Sequence, residues 1–191
     1  MSGLYTGKGD GGTTKVFGCN QQRISKSAEL PEALGTLDEL NSFLGFAKAR
    51  ARALPPAVVT LGRIRRSVPE ALHDVQETLF IVQAEVAGAE KKVGKRKVTS
   101  VEKSIAAIEG EIPPVISFSI AGGTELSALL DVARTLARRA ERRVIAVHEG
   151  GFRTISPHTR AYLNRLSSLL FALARLANHQ SGVAEQNPSY R

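Results

Sequence analysis

The stretch "DVARTLARRAERRVIAV", residues 131–147, decides how this chain folds. At about 100° per residue, Ala133, Ala137, Ala140 and Val144 fall on one stripe, and Leu126 and Leu130 extend it upstream. That is the period of a helix burying one face. Arg134, Arg138 and Glu141 cluster within about 60° of one another, well off the stripe, with Arg142 just beyond. Arginines spaced four apart crowd positive charge along one line, which costs stability unless anions answer it. Glu141 answers only part. Arg139 and Arg143 lie further round and read as ordinary surface. The arginine face is therefore either a solvated basic surface or a place where an anion binds.

Outward from this block the helical pattern repeats. Upstream, Thr36 and Glu39 have capping-box spacing, and Leu37, Leu40, Phe43, Leu44 and Ala47 follow until Pro55-Pro56 ends the run. Ser67-Val68-Pro69-Glu70 predicts a second start, with Leu72, Val75, Leu79, Val82 and Val86 on one face. "KKVGKRKV" (91–98) reads as a basic, solvated connector, and Thr99 and Glu102 predict a cap for a short helix to about Ile108. Residues 110–123 are irregular, bounded by Pro113-Pro114 and Gly122-Gly123. The arginine helix should run from Thr124 to Val147. A last helix begins near Ser156-Pro157 and carries Leu163, Leu166, Leu169, Leu170, Leu173 and Ala177. The polar tail after Gly182 reads as loose. No stretch alternates with period two for long enough to build a sheet, so the expected class is an all-α bundle.

The N-terminus is different. "LYTGKGDGGTTK" (4–15) concentrates glycine, the residue that loses most entropy on ordering. Gly7-Lys8-Gly9-Asp10-Gly11-Gly12 satisfies G-x-G-x-x-G, but no strand precedes it, which removes the dinucleotide-fold reading. A Walker A loop fails as well, because Gly9 follows Lys8 where serine or threonine is required. Two readings survive: a flexible tail, or a loop whose N–H groups converge on an anion beside Lys8, Lys15 and the hydroxyls of Thr6, Thr13 and Thr14.

Composition narrows the class. With 191 residues, 42% hydrophobic and 23% charged, the chain suits one well-buried globular domain, with room for two small ones. Cys19 is the only cysteine, so no internal disulfide forms. His73, His148, His158 and His179 are scattered without zinc spacing, and no metal site is expected. Nothing resembles a signal peptide or membrane span, which makes the cytoplasm the expected location. The net charge of +8 suits a polyanionic partner without choosing among nucleic acid, membrane surface and nucleotide.

Together, "YTGKGDGGTT", "RISK", "GTLDELNSFLG", "DVQETLF", "FSIAGGTELSALLDVARTLARRAERRV" and "YLNRLSSLLFALAR" resemble, in order and spacing, the PduO-type ATP:cob(I)alamin adenosyltransferases. The resemblance covers roughly residues 4–178. It implies a five-helix bundle assembled as a homotrimer, with a nucleotide-binding segment over 1–30, the bundle over 31–180 and a loose tail over 181–191. It also implies ATP and corrinoid bound at each subunit interface. The implied reaction moves the 5′-deoxyadenosyl group of ATP to Co(I) and releases tripolyphosphate, assisted by Mg²⁺ and in many members K⁺. On the same resemblance Thr6, Gly7, Lys8, Gly9, Thr14 and Lys15 wrap the nucleotide, and Lys26 binds phosphate. Arg138, Glu141, Arg142 and Asn164 match nucleotide-contacting positions. Asp38 and Arg134 match an intersubunit salt bridge, and Phe118 matches the aromatic that closes the lower corrin face. A corrinoid reductase and an adenosylcobalamin-dependent enzyme are the implied partners, with no membrane or nucleic acid. Two departures stand out: Gly7-Lys8 replaces the family's basic residue followed by threonine, and Ile120-Ala121 replaces Leu-Pro.

Such chemistry needs no Ser, Cys or His nucleophile, because cobalt is the nucleophile, and the sequence offers no triad. Two competing classes remain open. One is a nucleic-acid binder using Lys91, Lys92, Lys95, Arg96 and Lys97 with the arginine helix; the other is a corrinoid carrier without catalysis.

Overall fold

The computed structural model describes residues 3–17, 22–54, 58–61 and 64–190. Five helices carry the fold: α1 (Glu29–Ala53), α2 (Val68–Ala87), α3 (Lys95–Glu109), α4 (Glu125–Glu149) and α5 (Pro157–Gln180). α4 packs against α5 on one side and α1 on the other; α2 lies against α1, and α3 against α5. The apolar stripes expected from spacing all face this core. Leu37, Leu40 and Leu44 of α1, Leu72, Leu79 and Val82 of α2, Leu130 and Ala137 of α4, and Leu166 and Leu170 of α5 are fully buried. Burying each leucine contributes about 2 kcal/mol of hydrophobic free energy.

Helix starts follow their chemistry, with two corrections. Ser67 forms the expected capping box with Glu70, and the Thr124 and Ser156 hydroxyls accept from the amides of Ser127 and Thr159. Thr36, in contrast, caps nothing. It is buried within α1, and its hydroxyl donates to the Ala33 carbonyl at 3.0 Å. α1 begins seven residues earlier, where Pro31 fits the first turn and Glu29 and Glu32 complement the helix dipole. The Thr99 cap fails in the same way. α3 starts at Lys95 after Gly94, so Lys95, Arg96 and Lys97 form its first turn and only the start of 91–98 is connector. Leu54 is extended (φ −102°, ψ 159°), as a residue before proline must be, and terminates α1. Pro55-Pro56, like Cys19, lies outside the described residues.

Two small antiparallel ladders were not expected. β1 (Thr13–Lys15) pairs with β2 (Arg23–Ser25), and β3 (Val58–Leu61) with β4 (Ile64–Ser67). Strands of three or four residues are too short for alternation to register in sequence. No helix among the described residues is long and apolar enough to cross a membrane.

The tail after Gly182, expected to be loose, makes specific contacts. Glu185 pairs with Arg175 at 2.5 Å, and the Gln186 carbonyl accepts from the Ile120 N–H at 2.7 Å.

Candidate active site

The arginines of α4 are sorted by the acids around them. Arg139 pairs with Glu39 of α1, and Arg143 lies 3.6 Å from Glu32. Both were read as plain surface; they instead tie α4 to α1. Arg134 Nε donates to Asp131 Oδ1 at 3.1 Å, one turn back on its own helix. Arg142 donates to the Arg138 carbonyl at 3.1 Å. Among the described residues the Arg138 guanidinium alone in this row makes no hydrogen bond or ion pair, and it is exposed. Acids therefore answer the charge at Arg134, Arg139 and Arg143, a backbone carbonyl takes up Arg142, and Arg138 is left without a partner.

That position opens on a cavity of about 370 Å³, lined by Ser117, Phe118, Arg134, Arg138, Ser167 and Phe171 among others. Phe118 stands above it, 79% exposed. Its loop is anchored at the double glycine. Gly122 and Gly123 adopt φ +114° and +107°, and a Cβ at Gly123 would lie 2.6 Å from Asn178 Oδ1. Asn178 accepts from the Thr124 N–H at 2.9 Å and donates to the Gly122 carbonyl at 2.9 Å, while Asp131 Oδ2 accepts from the Gly122 N–H at 3.4 Å. Asp131 thus joins the loop to Arg134. Within the wall, Phe171 is bracketed by Arg134 and Arg175, each 5.9 Å from its ring centre.

Further along the same helix pair, the structure brings Glu141 and Asn164 together. Asn164 Nδ2 donates to Glu141 Oε1 at 3.0 Å, its Oδ1 accepts from Arg165 at 2.5 Å, and Arg165 reaches Glu102 of α3 at 3.2 Å. Asn164 is thus oriented from both ends, which fixes the direction of its amide.

The glycine loop is a compact turn preceding a strand. Gly7 and Gly12 have φ +67° and +73°, and the amides of Asp10 and Gly12 bond the carbonyls of Gly7 and Gly9 at 3.2 and 3.1 Å. Arg23 clamps it, donating to the Lys8 carbonyl, to Thr13 O at 2.6 Å and to Thr13 Oγ1 at 2.7 Å. The Lys26 ammonium lies against the loop, 3.0 Å from where a Gly9 Cβ would sit. Thr6 accepts weakly from the Lys8 N–H at 3.4 Å, and the Thr14 hydroxyl points to the Lys15 carbonyl. Lys26 and Gly9 are thereby brought together. No hydrogen bond or ion pair between described residues links Thr6, Gly7, Lys8, Gly9, Thr14 or Lys26 to Arg138, Glu141, Arg142 or Asn164. Asp38 is exposed on α1 and likewise makes no ion pair among the described residues; Arg134 pairs with Asp131, not with Asp38, inside the protomer.

Sequence reasoning missed Arg23, Asp131, Asn178 and Phe171. Asn178 carried a signal, a polar residue interrupting the apolar run of α5; the others carried none.

The family model for cobalamin adenosyltransferase matches residues 4–177, which span the loop and all five helices except the end of α5. The chain belongs to the cobalamin adenosyltransferase family. Corrinoid adenosyltransferases from Citrobacter freundii and Bacillus subtilis are 37% and 36% identical to it, over 92% and 95% of this chain and 95% and 90% of theirs. A variant of the PduO-type ATP:corrinoid adenosyltransferase from Lactobacillus reuteri, complexed with cobalamin and ATP, superposes with a TM-score of 0.84 at 27% identity, covering 98% of this chain and 99% of that one. A second variant of that protein, complexed with ATP, gives a TM-score of 0.80 at the same identity. The cobalamin adenosyltransferase fold thus extends over essentially the whole chain.

Proposed function

We infer that this enzyme transfers the 5′-deoxyadenosyl group of ATP to the cobalt of cob(I)alamin, giving adenosylcobalamin and tripolyphosphate. The observation that carries the reading is the unpaired Arg138 guanidinium lining the cavity beneath Phe118. One wall offers both a charge for a leaving polyphosphate and an aromatic for a corrin face. The cobalt–carbon bond forms as the bond from C5′ to oxygen breaks, and the triphosphate leaves with that electron pair. The protein's contribution is orientation and charge. Arg138 stabilises the negative charge growing on the leaving oxygen; Arg142, Glu141 and Asn164 hold the nucleotide. Phe118 occupies the lower corrin face, so that the base of the cobalamin does not coordinate cobalt.

The loop of Thr6, Gly7, Lys8, Gly9, Thr14 and Lys15, with Lys26, wraps the triphosphate, its amides and ammonium groups serving as anion donors. Since Thr6, Gly7, Lys8, Gly9, Thr14 and Lys26 make no hydrogen bond or ion pair with Arg138, Glu141, Arg142 or Asn164 among the described residues of one protomer, the reading completes each site with the loop of a neighbouring copy. A homotrimer provides this, with Asp38 of one protomer meeting Arg134 of the next. The exposed apolar Phe46 of α1 and Val132 of α4, the helices carrying that pair, support a contact there. Among the described residues no group of three or more His, Cys, Asp or Glu could hold a metal. Mg²⁺ and K⁺ would therefore enter with the nucleotide rather than on a cluster of such side chains among the described residues. The remaining partners are a corrinoid reductase and an adenosylcobalamin-dependent enzyme, in the cytoplasm.

Anaerobic incubation with chemically reduced cob(I)alamin and MgATP tests the reading. Adenosylcobalamin and tripolyphosphate should appear in equal amounts. Corrinoid binding without ATP consumption would reduce the protein to a carrier, and salt-sensitive duplex binding without turnover would support the nucleic-acid class.

A further inference from the structure

The tail beyond α5 has no role in the reading above, yet it is fastened to the segment that carries Phe118. Arg175 is the link. Its side chain is only 10% exposed; Nη2 donates to the Pro113 carbonyl at 2.9 Å and Nε to Glu185 Oε1 at 2.5 Å. One residue on, the Gln186 carbonyl accepts the Ile120 N–H at 2.7 Å. Both ends of the 113–120 segment are therefore tied to the tail, one through Arg175 and one directly. Between the ties, Ile116 and Phe118 are 88% and 79% exposed, so the protomer's own packing does little to place them.

We propose that residues 183–186 act as a strap that sets the position of the Phe118 loop, with Arg175 and Glu185 as positioning residues for the corrinoid half of the reaction. The proposal rests on the adenosyltransferase reading for its consequence but not for its geometry. Glu185 is the neutralising partner of a nearly buried guanidinium. Without it, Arg175 is drawn towards water and away from Pro113, because an uncompensated charge is costly to keep desolvated. The Ile120 tie is lost with the tail, and Phe118 then samples positions off the corrin face.

Two measurements on the full chain test this, using Glu185→Ala, Glu185→Gln and Arg175→Lys. Hydrogen exchange in the ligand-free protein should speed up at 115–121 in Glu185→Ala, with exchange in α2 and the melting temperature little changed. In turnover assays the same variant should raise KM for the corrinoid roughly five-fold, the size of one ordinary net hydrogen bond, and leave KM for ATP unchanged. The reaction started from cob(II)alamin should fall more than the one started from cob(I)alamin. Glu185→Gln, which keeps an acceptor, should recover part of both effects, and Arg175→Lys, which loses the planar fork, should resemble Glu185→Ala. Unchanged exchange at 115–121 overturns the strap. Faster exchange with unchanged corrinoid KM and an unchanged ratio between the two routes overturns the positioning role. Absence of turnover in the wild type, with exchange faster in Glu185→Ala, would remove the adenosyltransferase reading and leave the strap as architecture.

Discussion

In the proposed reaction the α4–α5 wall and the glycine loop would carry the two halves of one task by opposite means. On the wall, the groups around the unpaired Arg138 are aimed by others: Asp131 holds Arg134, Arg165 and Glu141 hold Asn164, and α1 acids hold Arg139 and Arg143. Two packed helices fix the backbone beneath them. The loop instead hangs on a three-residue ladder, two turn hydrogen bonds and the Arg23 clamp, and most of it is exposed. Rigid elements suit the group that must meet a transition state; a mobile one suits admitting a charged substrate and closing on it. The wall should therefore govern kcat and the loop KM.

The sharpest way to break this division is Arg138→Ala. It removes the one arginine in its row with no partner, so the charge on the leaving triphosphate loses a direct contact. Turnover should fall by ~2–4 kcal/mol in the transition state with melting unchanged. Lysine should restore only part of it. Near wild-type kcat in a folded Arg138→Ala protein would remove the wall's catalytic role.

Phe118→Ala comes next. Removing the axial ligand makes Co(II) easier to reduce, and a bulky apolar side chain below the corrin favours that four-coordinate state. Reaction from cob(II)alamin should drop at least tenfold more than reaction from cob(I)alamin, a difference of about 1.4 kcal/mol. Equal losses would make Phe118 a packing residue only.

For the loop the expected effect is smaller and falls on binding. Arg23→Ala breaks three hydrogen bonds that close the loop on Thr13 and Lys8. Part of that order is regained when ATP binds, so KM for ATP should rise by roughly 1–2 kcal/mol while kcat holds. Hydrogen exchange across 4–15 should slow on adding MgATP in the wild type and start faster in the variant. No slowing in either would leave the loop as a plain terminal tail.

These contrasts also explain what could be read in advance. Every apolar stripe lies where spacing put it, because burial of Leu37, Leu72, Leu130 or Leu166 depends on helical period alone. The Ser67 and Ser156 caps were legible because proline follows each within the first turn. The patterns at Thr36 and Thr99 misled because the same spacing occurs inside helices, where Glu39 and Glu102 serve Arg139 and Arg165 instead. For Arg23 and Asp131, function lies in a partner far away in sequence or on the main chain. No local pattern reports such a partner.

The smallest expected effect probes whether the two halves come from different copies. Asp38 and Arg134 lie on α1 and α4, and within the protomer Arg134 already pairs with Asp131, whose side chain is 13% exposed. An intersubunit bond to Asp38 therefore adds a second carboxylate to a guanidinium that has one, and the coupling should be modest, about 1 kcal/mol. Asp38→Arg or Arg134→Asp alone places like charges together, which should weaken both assembly and turnover. The double exchange should recover only part, since reversed polarity at 134 sets an aspartate against Asp131. Asp131→Asn in the exchanged background relieves that repulsion and should recover more. A double-mutant cycle read by assembly mass and by turnover measures the coupling. Additive losses, with every variant assembled like the wild type, would show that Asp38 and Arg134 do not meet and that the loop and the wall are joined by some other face of the bundle.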